Sequence, residues 1–268
     1  MNAAVIQFSV GTDLEANLDT ALRLVGQAAS AGADIVVLPE MVDHFGEDEG
    51  VEAIKSSIPG PVSDRFAAVA RELGIWVLAG SIHEAIEGDT RTYNTSVLFD
   101  RNGIEQARDR KIHLYDVQIP GQVDSLESRT IAPGEEIVTT DVDGHIAGLA
   151  ICYDVRFSEL FRALVDRGAE LVFLPAAFTM FTGKDHWEVL IRARAIENQC
   201  FMLASGQHGK ALYGRSMIVD PWGTVLATAP DGDGFAMARI DFDRLEKIRR
   251  ELPALANRRL NRPELAGV

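Results

Sequence analysis

Cysteine is scarce: Cys152 and Cys200 are the only two in 268 residues, which is too few for a disulfide framework, and neither lies in a CxxC pair. No HExxH pattern occurs, so no zinc-protease site is expected, and no metal. Positive charge is also short, with 26 Lys and Arg against 40 Asp and Glu and a formal net charge of −14. Nucleic acid and anionic membrane surfaces both require a basic face, so neither is expected as a partner. Long hydrophobic runs are missing, since no apolar segment approaches the roughly 20 residues of a membrane helix. The start, Met1-Asn-Ala-Ala-Val-Ile-Gln-Phe8, lacks the charged and apolar regions of a signal peptide, and a cytoplasmic location is expected.

What is there fits one globular α/β domain over residues 1–268: 47% of residues are hydrophobic and 25% charged, enough to bury a sizeable core. Residues 3–8 read as a buried strand. Asp13 then caps a helix whose apolar positions Leu18, Leu22 and Val25 recur at helical spacing until Gly32. A strand over Ile35–Leu38 stops at Pro39-Glu40, and a helix runs from Ser63 to Leu73 with Gly74 ending it. Next come a strand at 75–80 and a pair, Thr92–Asp100 and Ile104–Arg108, joined by the turn Arg101-Asn-Gly103. Residues 109–134 carry no periodic element, and a connection that long inside a domain is usually functional or disordered. The tail 241–252 reads as an amphipathic helix with Phe242, Leu245, Ile248 and Leu252 on one face.

The second half repeats the first. Gly32-Ala-Asp-Ile-Val-Val-Leu-Pro39 matches Gly168-Ala-Glu-Leu-Val-Phe-Leu-Pro175, Trp76–Ser81 matches Phe201–Gly206, and Tyr93–Gly103 matches Tyr213–Gly223, in the same order. Each unit is a sheet with helices on one side, and its bare face is most simply covered by its own copy. The expected fold is a four-layer αββα sandwich with an internal pseudo-two-fold repeat.

The stretch Gly148–Phe157 is an apolar run that stops at Cys152 and turns polar, with a helix expected next. A thiol at a sheet edge and helix start is well placed for a nucleophile, and it is equally what a small buried hydrophobe looks like. Glu40 falls at the corresponding sheet corner of the other half, beyond a strand's carboxyl end, where α/β folds bind ligands.

Leu38-Pro-Glu40, Arg110-Lys-Ile-His113, Leu126-Glu127-Ser128 and Ile151-Cys-Tyr-Asp-Val-Arg-Phe157 together resemble the nitrilase-like carbon-nitrogen hydrolases over essentially the whole chain. The resemblance implies the αββα sandwich and a Glu-Lys-Cys triad at Glu40, Lys111 and Cys152, with Glu127 as a second pocket glutamate. Amide hydrolysis needs a nucleophile, a proton carrier and an oxyanion donor. In that scheme Cys152 attacks as thiolate, Glu40 takes its proton, and Lys111 with the backbone N–H of Tyr153 holds the oxyanion. No organic cofactor or metal is required. His113 is read as a hydrogen-bonding support and His145 as a turn residue.

Within the family, segments 186–200, 217–225 and 239–245 look most like deaminated-glutathione amidases, and Tyr115–Gly121 is equally like the ω-amidases that hydrolyse α-ketoglutaramate. The loop Gly209-Lys-Ala-Leu-Tyr213 is shorter than is usual in the first group. The expected substrate is a small carboxylated amide, with Arg156 either a carboxylate contact or a structural partner of Asp154 or another acid, and Phe178, Thr179 and Thr182 on the pocket wall. A nitrilase or carbamoyl amidohydrolase and a catalytically silent scaffold are the competing readings, and a homodimer is expected.

Overall fold

The structure, a computed structural model, describes residues 1–46 and 50–259. The first half contains β1 (Asn2–Gln7), α1 (Leu14–Ser30), β2 (Ile35–Val37), α2 (Val51–Ile54), α3 (Pro61–Leu73), β3 (Trp76–Ala85), β4 (Thr92–Phe99) and β5 (Glu105–Arg110). A short ribbon, β6 (Asp116–Ile119) with β7 (Val123–Leu126), and β8 (Ile131–Ala132) follow. The second half has β9 (Thr139–Val142), β10 (His145–Leu149), α4 (Ser158–Asp166), β11 (Leu171–Ala176), α5 (Met180–Asn198), β12 (Phe201–Gly206), β13 (Met217–Val219) and β14 (Val225–Thr228). Then come β15 (Gly234–Arg239) and α6 (Phe242–Glu251).

Local chemistry sets the boundaries. Asp13 accepts the amide of Ala16 and starts α1, and Asp241 does the same for α6 through Arg244. Gly74 ends α3 in the left-handed region at φ 65°. The large sheets have matching paths, β15-β1-β2-β3-β4-β5 and β9-β10-β11-β12-β13-β14. In each, three parallel strands run side by side: Ala3, Ile35 and Trp76 are in register in one, and Ala147, Leu171 and Phe201 in the other. Equivalence extends to turn hydrogen bonds. Asp100 Oδ1 accepts the amides of Asn102 and Ile104, and Asp220 Oδ1 accepts those of Trp222 and Thr224.

The four-layer αββα sandwich follows from how the apolar faces pair. Alternate strand residues such as Val36, Leu38 and Val77 pack against Leu24 and Phe66 of α1 and α3. Their neighbours Val5, Ile35, Val37 and Leu78 face the other sheet's Leu149, Leu171, Phe173 and Leu203. That sheet's far face, including Val172, Leu174 and Met202, packs under Phe161 of α4 and Trp187 of α5. Strands covered on both faces need apolar residues at every position, which is why these segments read as unbroken hydrophobic runs.

Three details differ from the sequence reading. Residues 109–134 are not structureless: β6 pairs with β7 and β8 joins β4. Those ribbon strands have four residues each and are half exposed, so no apolar alternation marked them. β3 runs on to Ala85, because an irregularity between Ala79 and Ile82 carries it past Gly80. In the tail helix Leu245 and Ile248 are buried, but Leu252 lies beyond the helix and is 50% exposed.

Gly80 is where backbone approaches most closely. A Cβ there would stand 1.8 Å from the Leu38 carbonyl oxygen and 2.3 Å from that of Pro39. Gly80→Ala is therefore expected to cost about 3 kcal/mol in denaturant unfolding. It should also lower activity by pushing out the corner that carries Glu40.

Candidate active site

Three chain corners converge. After β2 the backbone turns sharply at Leu38-Pro39-Glu40, with Met41 in the left-handed region at φ 49°. Ser81 pins this turn, its Oγ accepting the Met41 amide at 2.7 Å and its carbonyl accepting the Val42 amide at 2.9 Å. Lys111 directly follows β5, and Glu127 opens a single 3-10 turn after β7. The opposite half contributes the end of β11: the Ala177 amide donates to Glu40 Oε2 at 2.6 Å, and Gln207 Nε2 donates to the Glu40 carbonyl at 2.7 Å. The two Leu-Pro corners of the repeat thus meet across the sandwich.

Lys111 is only 2% exposed, and its Nζ lies 2.9 Å from Glu40 Oε1 and 2.9 and 2.8 Å from the two oxygens of Glu127. Burial opposes the ammonium charge, yet the two carboxylates hold the Lys111 pKa well above the ordinary lysine value. Asn94 Nδ2 bridges the same carboxylates, at 2.8 Å from Glu40 and 3.3 Å from Glu127, and the Tyr115 amide donates to Glu127 Oε2 at 2.6 Å. In a basic run where Arg108 and Arg110 pair with Glu84, Lys111 alone is turned inward.

Cys152 opens a 3-10 turn, Cys152–Arg156, at φ 48°, and is 7% exposed. Burial raises the thiol pKa well above its ordinary value; Glu40 adds to the rise, and Lys111 only partly opposes it. With Glu40 favouring the proton on sulfur, the thiol rests as a neutral S–H in the same cavity as that carboxylate. The first bond of the turn runs from the Asp154 amide to the Ile151 carbonyl, so the amides of Cys152 and Tyr153 precede it. Asp154 organises the turn: its Oδ2 accepts the Ile151 amide at 2.9 Å, and its Oδ1 accepts the His113 amide at 3.0 Å and meets His113 Nδ1 at 2.7 Å. One carboxylate thereby ties the lysine's segment to the cysteine's turn. The regular helix expected after the polar residues that follow Cys152 begins at Ser158.

Glu40, Lys111, Glu127 and Cys152 line one cavity of about 880 Å³. Of the expected wall residues Thr179 lines it, whereas Arg156, Phe178 and Thr182 do not. Arg156 instead stacks over the rings of Phe178 and Tyr153, at 5.0 and 5.6 Å, and meets His186 at 3.2 Å. Phe178 packs against Trp187, and Thr182 bonds Thr179. The short 209–213 loop forms part of the wall through Ala211 and Leu212, tied to Met180 by a 2.7 Å backbone bond. His113 stacks on Phe157, and His145 bonds Glu170 and stacks on Phe242, away from the cavity. Sequence reasoning missed Asn94 and the capping role of Asp154. Asn94 had a usable signal, a buried polar strand residue where the repeat has Gly214.

Residues 2–250 match the family described as carbon-nitrogen hydrolase. A deaminated glutathione amidase of Bos taurus is 42% identical, covering 98% of this chain and 83% of its own length. An omega-amidase of Xenopus tropicalis is 37% identical, covering 96% of this chain and 94% of its own. The crystal structure of the C. elegans NitFhit protein superposes with a TM-score of 0.88 at 36% identity, covering 96% of this chain and 65% of that longer one.

The thiol geometry has a spectroscopic consequence. Thiolate absorbance that is lost in Cys152→Ala should titrate above the ordinary thiol pKa of about 8.5. In Glu40→Gln the midpoint should fall, because the carboxylate that holds the proton on sulfur is gone while Lys111 stays. A midpoint that rises in Glu40→Gln would contradict the assignment.

Proposed function

The chain belongs to the carbon-nitrogen hydrolase family, and on that premise we propose that it cleaves the amide C–N bond of a small carboxylated substrate through a thioester on Cys152. The reading rests above all on one observation: a buried ammonium clamped between two carboxylates, in one cavity with the thiol. Cys152 Sγ attacks the amide carbonyl carbon as its proton passes to Glu40. The oxyanion forms near Lys111 and the Tyr153 amide. All three Nζ contacts of Lys111 go to carboxylates at rest, so it acts by its field or by releasing one of its two Glu127 contacts. Glu40 then gives the proton to the departing nitrogen, the C–N bond breaks and the thioester remains. Water, losing a proton to Glu40, attacks the acyl carbon. The C–S bond breaks and the proton returns to sulfur. Glu127 fixes Lys111.

Deaminated glutathione, which the name of one relative carries, is the first substrate to test, with α-ketoglutaramate as the alternative. We place the enzyme in the cytoplasm, as one catalytic unit over residues 1–268. We also propose a homodimer: Val189 and Ile196 on α5 and the nearby Trp222 are 65, 49 and 56% exposed, an apolar surface suited to a second copy. No described helix is long and apolar enough to cross a membrane.

Mass spectrometry after incubation with deaminated glutathione, α-ketoglutaramate and a simple nitrile should show hydrolysis of a carboxylated amide and an acyl adduct on Cys152. Lys111→Ala should lower kcat by about a thousandfold. His113→Gln should keep most of it, because its ring supports Asp154 from outside the cavity; the reverse pattern would sink the lysine assignment. Light scattering at micromolar concentration should give twice the chain mass, and a monomer would refute the dimer.

A further inference from the structure

His83 and Asp43 form a buried pair that the proposed reaction does not use. They are 4 and 1% exposed. His83 Nδ1 lies 3.0 Å from Asp43 Oδ1, and Asp43 Oδ2 accepts the His83 amide at 2.8 Å. The aspartate is itself fixed by its own loop, the His44 amide donating to Oδ1 at 3.0 Å and Asn17 Nδ2 to its carbonyl at 3.0 Å. A carboxylate can only accept, so Nδ1 carries a hydrogen. Nε2 has no partner among the described residues, while the His83 side chain lines the same cavity as Cys152.

The sheet puts this ring beside the reacting groups. His83 stands directly opposite Asn94 in the β3–β4 register, and residues so paired project from the same face about 5 Å apart. Asn94 is the residue that bridges Glu40 and Glu127. Among the described residues, the charged and titratable groups around the imidazole are Asp43, Glu40, Glu127, Lys111, Cys152 and His44, whose ring centroid is 6.2 Å away. The other charges lining the cavity, Asp124, Arg129 and Lys184, are exposed. At the buried end the described residues place three carboxylates, Asp43, Glu40 and Glu127, against one ammonium, Lys111, which would repel an anionic group there. A protonated His83 halves that excess and presents a donor to the cavity. Burial opposes the charge, yet Asp43, Glu127 and Glu40 together raise the imidazole pKa above its ordinary value.

We infer that His83, oriented by Asp43, is a specificity-determining residue whose Nε2–H binds a carboxylate of the amide substrate. This rests on the amidohydrolase reading and adds to it the group that selects an anionic substrate. The carboxylate belongs either to the acyl portion or to the leaving peptide, and the two substrates distinguish these sources.

Steady-state kinetics of the full-length protein and of His83→Gln on α-ketoglutaramate, deaminated glutathione and an uncharged aliphatic amide form the first test. A charge-assisted hydrogen bond predicts a KM increase of about ten- to a hundredfold for carboxylated substrates, with most of kcat retained. Constants for the uncharged amide should barely move. An increase for both carboxylated substrates places the contact on the acyl carboxylate, and one for deaminated glutathione alone places it on the leaving peptide. Equal losses on all three substrates, or a loss confined to kcat, would overturn the inference. Calorimetric binding of α-ketoglutarate and of cysteinylglycine, the hydrolysis products, to Cys152→Ala needs no turnover and so separates this inference from the reaction assignment. At least one of them should bind more weakly as pH rises through the raised histidine pKa, and His83→Gln or Asp43→Asn in that background should flatten the dependence. Affinities independent of pH would overturn the inference even if a substituted protein failed to fold.

Discussion

Everything at the site depends on a single buried charge balance. An ammonium cannot be taken out of water unless its partners surround it, and removing one partner from a buried pair leaves the other uncompensated. Lys111 meets that condition only because Glu40 arrives from the corner after β2 and Glu127 from the ribbon turn, with Asn94 spanning both. The cluster then holds two carboxylates and one ammonium, so a resting thiolate would add a second uncompensated negative charge. That is why the Cys152 proton stays on sulfur at rest.

The duplication supplies the framework and its imperfections supply the chemistry. Both halves bring a Leu-Pro corner to the same place, but one ends in Glu40 and the other in Ala176, whose neighbour Ala177 offers a backbone amide to Glu40. A second glutamate there would stand against the first with no cation between them. The β4 copy likewise has Asn94 where the β13 copy has Gly214. Polar residues in buried strands persist where an asymmetric partner satisfies them, so differences between repeats mark the site better than their similarities do.

Much of this was legible in the residues. Asp13, Gly74 and the paired Leu-Pro corners carry local chemistry that acts the same way in any fold, and unbroken apolar runs report strands covered on both faces. The convergence of Glu40, Lys111, Glu127 and Cys152 was legible only through family likeness, because Lys111 sits in a run of charges and nothing local turns it inward. Arg156 shows the opposite failure. Its closeness in sequence to Cys152 suggested a substrate contact, but the 3-10 turn rotates it onto Phe178 and Tyr153. His83 was not singled out, since a histidine midway along a strand acquires meaning only from the loop carboxylate packed on it.

The backbone explains how a thiol with a raised pKa is made useful. Met41 and Cys152 both adopt positive φ, an unfavourable state for residues with a Cβ, held only when surrounding bonds fix it. Ser81 fixes the first through two bonds, and Asp154 fixes the second by gathering the Ile151 amide and His113 on one carboxylate. Glu40, the base of the proposed reaction, already lines the same cavity as the thiol before substrate binds. In the proposed reaction, reactivity does not come from a thiolate stabilised by a helix end, since the turn at Cys152 is a short 3-10 one. It comes from a proton acceptor and a fixed cation held in one cavity with the thiol.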